Sequence, residues 1–379
     1  GTIPEETYIT VKVGERIVGK IDEGFLERLQ PGDVFVLGGN VYMFKFARGM
    51  TAQVSASVNR PPTVPSWFSE MLPLSYDLAM EINRFRRLME DYFQEKKKKT
   101  EILEFINNYL YVNEKAAESI YQYFNEQYRF SQIPSDKKIV IETYSDQGRN
   151  YVVFHTLFGR RVNDCLSRSL AYLIGKLQHR DVEVGITDNG FYLSGETGKN
   201  FNVQKAFEQL AKEDFRILLE QAIERSEVLQ RRFRHCAARS LMILRQYMGK
   251  KKSAGRMQIG SRILFNAVKR ISDQFPILKE ARREVLEDLM DYEHAQEIVE
   301  GIVNENISVI QKDTGIPSPF AFGMVLDGYS DVIKVEDKQE FLKRMHQMVL
   351  AKINLAEGKR KIKEERPFTY EKYWENGGK

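Results

Sequence analysis

Residues 137–194 carry four segments in a fixed order: KKIVIETYSD (137–146), NYVVFHTLFG (150–159), NDCLSRSLAYLIGKLQ (163–178) and VEVGITDNGFYLS (182–194). The first two are short apolar runs rich in β-branched and aromatic residues, broken by a glycine-containing turn, and they read as paired strands. The third changes to helical periodicity. The fourth holds TDNG between apolar runs, a two-residue hairpin signal. A strand pair, a helix and a closing hairpin make an α+β unit.

Working outward, residues 7–58 alternate in short runs (YITVKV, RIVGKI, DVFVLGG, VYMFKF, AQVSASV) between Gly, Pro and Asp, the spacing of short antiparallel strands in a small sheet or barrel. NRPPTVPSWFSEMLPLS (59–75) follows, and its prolines make a stiff, extended connector. From Ser75, a plausible N-cap, apolar residues at 74, 78, 82, 85, 88, 89 and 92 predict a helix, with a second over about 99–128. Beyond residue 203 the pattern is helical nearly throughout. The expected division is a barrel-like β-rich part at 1–65, a helical segment at 66–130, an α+β part completing the β-rich one at 131–200, a helical part at 201–335 and a charged helical tail at 336–379.

A length of 379 residues suggests two or three domains or one composite unit. Hydrophobic residues make up 42% and charged residues 29%, and no apolar run approaches the roughly 18–20 residues of a membrane span, so a soluble chain with no membrane partner is expected. The start, GTIPEETYITV, shows no signal peptide, which implies a cytoplasmic protein. Cys165 and Cys236 have neither CxxC spacing nor paired histidines, and are expected as buried thiols rather than metal ligands. Charge is uneven: residues 225–283 hold sixteen Lys or Arg against Glu227, Asp273 and Glu280, while 284–307 hold eight acids and no Lys or Arg. Such a basic block suits a polyanion.

Catalytic chemistry is not visible. A P-loop needs GxxxxGK[ST]; SGETGKN (194–200) has the wrong glycine spacing and Asn200 in place of the hydroxyl. DYEH (291–294) sits in a helical pattern, not after a buried strand. The five histidines (155, 179, 235, 294, 346) are scattered, and His155 reads as a strand residue with a satisfied ring. No catalytic or metal residues are assigned, and no cofactor is expected in this chain.

Two features point to binding. In VLQRRFRHCAARSLMILRQYMGKKKSAGR (228–256) a helix would put Leu229, Phe233, Cys236, Ala237, Leu244 and Met248 on one face, with Arg232 and Arg239 a heptad apart and Arg231, Arg234, His235 and Arg245 on the flanks. Lys250, Lys251, Lys252 and Arg256 follow in a loop. This surface would hold a nucleic-acid backbone without reading sequence; the competing account is a solvated face with internal salt bridges to the acidic block. Trp67, after three prolines, is either a core anchor or an aromatic that stacks on an unpaired base.

The segments IPEETYITV (3–11), RIVGKIDEGFLERLQPGDVFVLGGNVYMF (16–44), RPPTVPSWFSEMLPLSYDLAMEINRFR (60–86), IPSDKKIVIETY (133–144), VVFHTLFGRRVND (152–164), RRFRHCAARSLMILRQY (231–247), PILKEARREVLEDLMDYEHAQEIVEGI (276–302) and IPSPFAFGMV (316–325) resemble the region following the winged-helix domain of Lhr-type large helicases, archaeal members most. The resemblance implies a DEAD/H-associated accessory region of an ATP-dependent, 3′–5′ helicase acting on DNA or RNA:DNA duplexes, nucleoid-associated and engaged in repair. Its partners would be single-stranded DNA or RNA and the RecA-like and winged-helix domains of the same helicase, with ATP and Mg bound by motor domains outside this chain. PPTVPSWFSE matches a PxxPxWxGE-like segment, so the resemblance makes Trp67 the residue that stacks on the tracking strand. Phe68 and Ser69 depart from the pattern at the position before the Glu, which bears on loop shape. A protein-docking module of a repair or RNA-processing assembly is the alternative.

Overall fold

The computed structural model describes residues 8–22, 25–26, 29, 32–37, 40–48, 51–56, 72–146, 148–179, 182–196, 201–244, 246–247, 250–251, 254–329 and 335–364. The first 56 residues supply strands β1 (Tyr8–Val13), β2 (Arg16–Asp22), β3 (Val34–Leu37), β4 (Asn40–Arg48) and β5 (Thr51–Ala56). They form a sheet of order β2-β1-β5-β4-β3, in which β1 and β5 run parallel and the other pairs antiparallel. Alternation buries Ile9, Val11, Phe35, Phe44 and Val54 in a core of their own. Among the described residues its edges β2 and β3 pair with no further strand, so the sheet is open and not a barrel.

Three helices follow: α1 (Tyr76–Gln94), α2 (Lys99–Leu110) and α3 (Glu114–Phe130). Ser75 does cap α1, its Oγ accepting from the Leu78 N–H at 3.3 Å. The single helix expected over 99–128 is two. Tyr111 takes a left-handed conformation (φ 54°), and Asn113 recaps the chain by accepting from the Ala116 N–H at 2.9 Å. Phe85, Met89, Ile102, Ile106 and Phe124 interlock between them.

The deciding unit folds as β6 (Lys138–Asp146), β7 (Arg149–His155), α4 (Arg160–Gln178), β8 (Glu183–Thr187) and β9 (Gly190–Glu196). Helices α5 (Val203–Leu210), α6 (Phe215–Ile223) and α7 (Glu227–Arg239) come next, then a short hairpin, β10 (Gln246–Tyr247) with β11 (Lys250–Lys251). After it run α8 (Ala254–Ile271), α9 (Pro276–Arg283), a π-helical continuation (Glu284–Leu289), α10 (Tyr292–Val303), β12 (Ser308–Asp313), a 3-10 turn (Pro319–Ala321), α11 (Phe322–Tyr329) and α12 (Val335–Glu364). The α+β class holds, but 131–200 does not complete the first sheet. It builds a second, of order β12-β6-β7-β9-β8, and β12, from the stretch expected to be helical, pairs parallel with β6 from Ser308↔Lys138 to Asp313↔Thr143.

Period-two alternation gives this sheet two covered faces. Ile139, Ile141, Val152 and Phe154 point into the main core with α4 to α10, where Phe154 stacks on Phe191 at 4.4 Å. Tyr144 and Val153 point the other way, against Ala321, Met324 and Met345. On that second face Glu142 and His155 are both buried, with His155 Nε2 and Glu142 Oε1 3.1 Å apart. Glu142 Oε2 also accepts from the Ser318 N–H at 3.0 Å, so the pair pins the IPSPF segment to the sheet. Phe320, two residues on, donates its N–H to Gln127 Oε1 and lies under the Arg86 guanidinium at 4.9 Å, which locks the three-helix unit to the same segment. Burial lowers the pKa of Arg86 to about 10. Among the described residues no helix is long and apolar enough to cross a membrane.

Candidate nucleic-acid interface

The basic segment is built on α7. Ser226 caps it by accepting from the Leu229 N–H at 3.2 Å, and Leu229, Phe233, Cys236 and Ala237 bury one face as their spacing requires. Phe233 meets Phe265 of α8 edge-on at 5.1 Å, which ties α7 to α8. The helix does not run on through Leu244 and Met248. It ends at Arg239, because Leu241 adopts φ 61° and the amides of Leu241 and Ile243 take the carbonyls of Ala238 and Ala237. Ile243 is buried by this reversal, whereas Leu244 is left 38% exposed. Cys165 and Cys236 are free buried thiols, as expected, and burial raises the pKa of both.

The arginines divide between two sides. Arg232 and Arg239, a heptad apart, converge on the buried carboxylate of Glu284 at the head of the π-helical turn: Arg232 Nη1 lies 3.6 Å from Oε2, and Arg239 Nη2 donates to Oε1. Arg239 Nη2 also donates to Cys236 Sγ at 3.2 Å. One carboxylate thus offsets part of the charge of both, an internal salt bridge of the kind the competing account foresees for these two. Other members of the acidic block are likewise engaged: Glu287 with Arg216 and Arg283, and Asp288 with Arg283. Arg161 Nη2 caps the carbonyls of Glu287, Asp288 and Met290 at 2.8–3.0 Å. DYEH proves to be a helix start, with Asp291 capping α10 and facing His294 Nδ1 at 2.9 Å.

Arg231 and Arg234 turn the other way, into a groove of about 410 Å³ between α7 and α8. Gln230 and Glu227 join them from α7, and Ser261, Arg262, Ile259 and Phe265 from α8. Arg234 is 8% exposed, so its guanidinium belongs to the groove wall. Arg262 is exposed and holds no ion pair among the described residues. It was not among the residues singled out from sequence; its only signal is membership of the basic block. Three guanidiniums, a hydroxyl and an amide share this groove with the Glu227 carboxylate, and Arg231 and Arg234 already hold interactions of their own.

Trp67, Arg245 and Lys252 lie outside the described residues. Lys250 and Lys251 are placed by their backbone in β11, paired with Tyr247 and Gln246, and Arg256 by its backbone in the first turns of α8; their side chains are not described. Among the described residues no group of three His, Cys, Asp or Glu could hold a metal ion.

Comparison with known proteins gives a consistent picture. Residues 133–321 match the family model described as DEAD/H associated, and residues 1–64 match the model described as the winged helix domain of large helicase-related proteins. The first sheet therefore falls under the second model, not after it. The ATP-dependent helicase Lhr-Core of Methanothermobacter thermautotrophicus is 51% identical over 354 residues, covering 93% of this chain and 41% of that protein. Its namesake from Saccharolobus solfataricus is 43% identical over 358 residues, covering 92% and 41%. The chain thus spans about two fifths of these curated relatives. Among solved structures, Mycobacterium smegmatis helicase Lhr bound to ssDNA and AMP-PNP matches with a TM-score of 0.56 at 21% identity, over 70% of this chain and 33% of that one, which is a likeness of fold.

Proposed function

The chain belongs to the Lhr family of large helicase-related proteins, and from that premise we propose that it is the accessory part that holds a single strand, DNA or RNA, while RecA-like motor domains outside it bind Mg and hydrolyse ATP and move 3′ to 5′. The observation that carries this reading is the convergence of Arg231, Arg234 and Arg262 on the groove between α7 and α8. Guanidiniums suit phosphate because their planar donors engage two oxygens at once. Contacts of that kind position a strand without reading bases. Trp67, on the proline connector, would supply the other half by stacking on an unpaired base, worth roughly 1–3 kcal/mol per base.

Charge reversal of Arg262 with Arg231 should weaken binding to oligonucleotides of different sequence alike, and lower the slope of log affinity on log salt by about 0.7 per lost single-strand phosphate contact. The measurement is a fluorescence-anisotropy titration at several salt concentrations. Sequence-dependent losses, or none, would argue against a phosphate groove. In a complete helicase, Trp67→Ala should spare most ATP hydrolysis and reduce unwinding.

A second reading, docking against a protein surface, is favoured by one feature. Ile259 and Ile263, one helical turn apart on α8, are 64% and 65% exposed beside the groove. Ile263→Glu should leave strand affinity intact if that face meets protein instead.

A further inference from the structure

We propose that the outer face of α8 is a docking ridge for an amphipathic helix of a partner protein, one whose apolar row is bordered by Asp or Glu. The proposal takes the docking reading one step further by naming the partner's chemistry, and it stands whether or not the α7–α8 groove holds a strand. On its inner side α8 packs against α7 and α9 and buries Ser261, Phe265 and Val268. Its outer side is apolar where a solvated helix would be polar. Ile259, Ile263, Ala267 and Ile271 follow one another four residues apart, and all are exposed, Ile271 most at 73%. At 1.5 Å per residue the row is about 18 Å long, some three turns.

A row at i, i+4 is a ridge of the kind that fits the groove of a second helix, the two axes crossing at about 50° when both use such rows. Gly260 lies on the same exposed side, and nothing stands within 4 Å of where its Cβ would be. No other part of the described chain therefore calls for glycine inside this helix, where it costs stability. Close approach by another backbone does.

Charge decides the partner. From Ala254 to Ser272 the sequence holds Arg256, Arg262, Lys269 and Arg270 and no Asp or Glu. Lys269 turns aside to Glu224 Oε1 at 2.5 Å, but Arg262 and Arg270 are exposed next to Ile263 and Ile271 and hold no ion pair among the described residues. An apolar row bordered by uncompensated cations is complementary to an apolar row bordered by carboxylates. It suits neither obvious rival. A second copy of this chain would set these arginines against their own kind, and a phosphate backbone gives the isoleucines nothing apolar to bury against.

The test titrates the 379-residue chain with two fluorescein-labelled peptides of about 20 residues, long enough to be helical in water. Both carry Leu in an i, i+4 row, bordered by Glu in one and by Lys in the other. The Glu peptide should bind at least about ten-fold more tightly, and more so at low salt. Ile263→Glu, at an exposed position, should weaken the Glu peptide about ten-fold and leave oligonucleotide affinity unchanged. Arg270→Glu, outside the α7–α8 groove, should weaken it about five-fold and strengthen the Lys peptide. Equal binding of both peptides would overturn the charge assignment and spare the docking reading. Binding of neither, or binding that Ile263→Glu leaves untouched, would overturn both. Flotation of the chain with phosphatidylserine–phosphatidylcholine vesicles, abolished by Ile263→Glu, would assign the ridge to a membrane surface instead, and a sedimenting dimer abolished by the same variant would assign it to a second copy.

Discussion

Glu142→Ala should lower the stability of the chain by about 3–5 kcal/mol, the usual cost of breaking a buried ion pair from one side. The carboxylate is fully buried, faces His155 Nε2 at 3.1 Å and accepts the Ser318 amide. Alanine would leave that amide without its acceptor and the ring without its anion. It would also release IPSPF, and with it Phe320, the shared anchor of the three-helix unit. Burial opposes the Glu142 charge, yet the His155 charge and the Ser318 hydrogen bonds outweigh it and hold the carboxyl below the ordinary carboxylate range. A carboxyl depressed in the folded state stabilises it above the unfolded value of about 4.3, and that contribution is lost as pH falls through the folded value. Glu142→Gln keeps an acceptor for Ser318. It should cost less at neutral pH and make the acid limb of the stability curve shallower below about pH 4.3. Denaturant unfolding of both variants between neutral and acid pH measures this; an acid limb unchanged in Glu142→Gln would show that the pair contributes nothing to acid sensitivity.

The second large effect is at Glu284. Its buried carboxylate is shared by Arg232 and Arg239 and offsets one of their two charges. Both guanidiniums are about a third exposed and can be partly rehydrated, so Glu284→Ala should cost about 2–3 kcal/mol, less than a fully buried pair. The functional consequence has the opposite sign. The one unit of positive charge gained on α7 should tighten single-strand binding at low salt and steepen its salt dependence. Loss of stability with no gain in affinity would mean that this side of α7 never meets the strand, and that binding belongs to the Arg231–Arg262 groove alone.

Both glutamates show what the sequence could and could not disclose. The α+β unit was legible because its signals are local: alternation in KKIVIETYSD and NYVVFHTLFG, helical spacing in NDCLSRSLAYLIGKLQ, and a turn at TDNG. Ser75 was legible as a cap for the same reason. β12 was not, because SVIQKD is one short strand in helical surroundings and its pairing with β6 spans some 170 residues. The break at Tyr111 and the end of α7 at Arg239 depend on left-handed turns at Tyr and Leu, residues that do not advertise them. Within the site, charge was visible and pairing was not. Arg232 and Arg231 are adjacent in sequence, yet one faces a carboxylate more than fifty residues away and the other a groove completed by Arg262. Trp67, the residue the family resemblance assigns most specifically, lies outside the described residues.

The most direct test of the strand-holding account is a titration of the unaltered 379-residue chain with single-stranded oligonucleotides of two unrelated sequences, at salt concentrations from about 50 to 200 mM. The account predicts equal affinity for both sequences and a linear fall of log affinity with log salt, with a slope of at least about 1.4, as the two less buried groove guanidiniums, Arg231 and Arg262, imply at roughly 0.7 each. A folded chain that binds neither oligonucleotide at low salt, or binds with no dependence on salt, would contradict it.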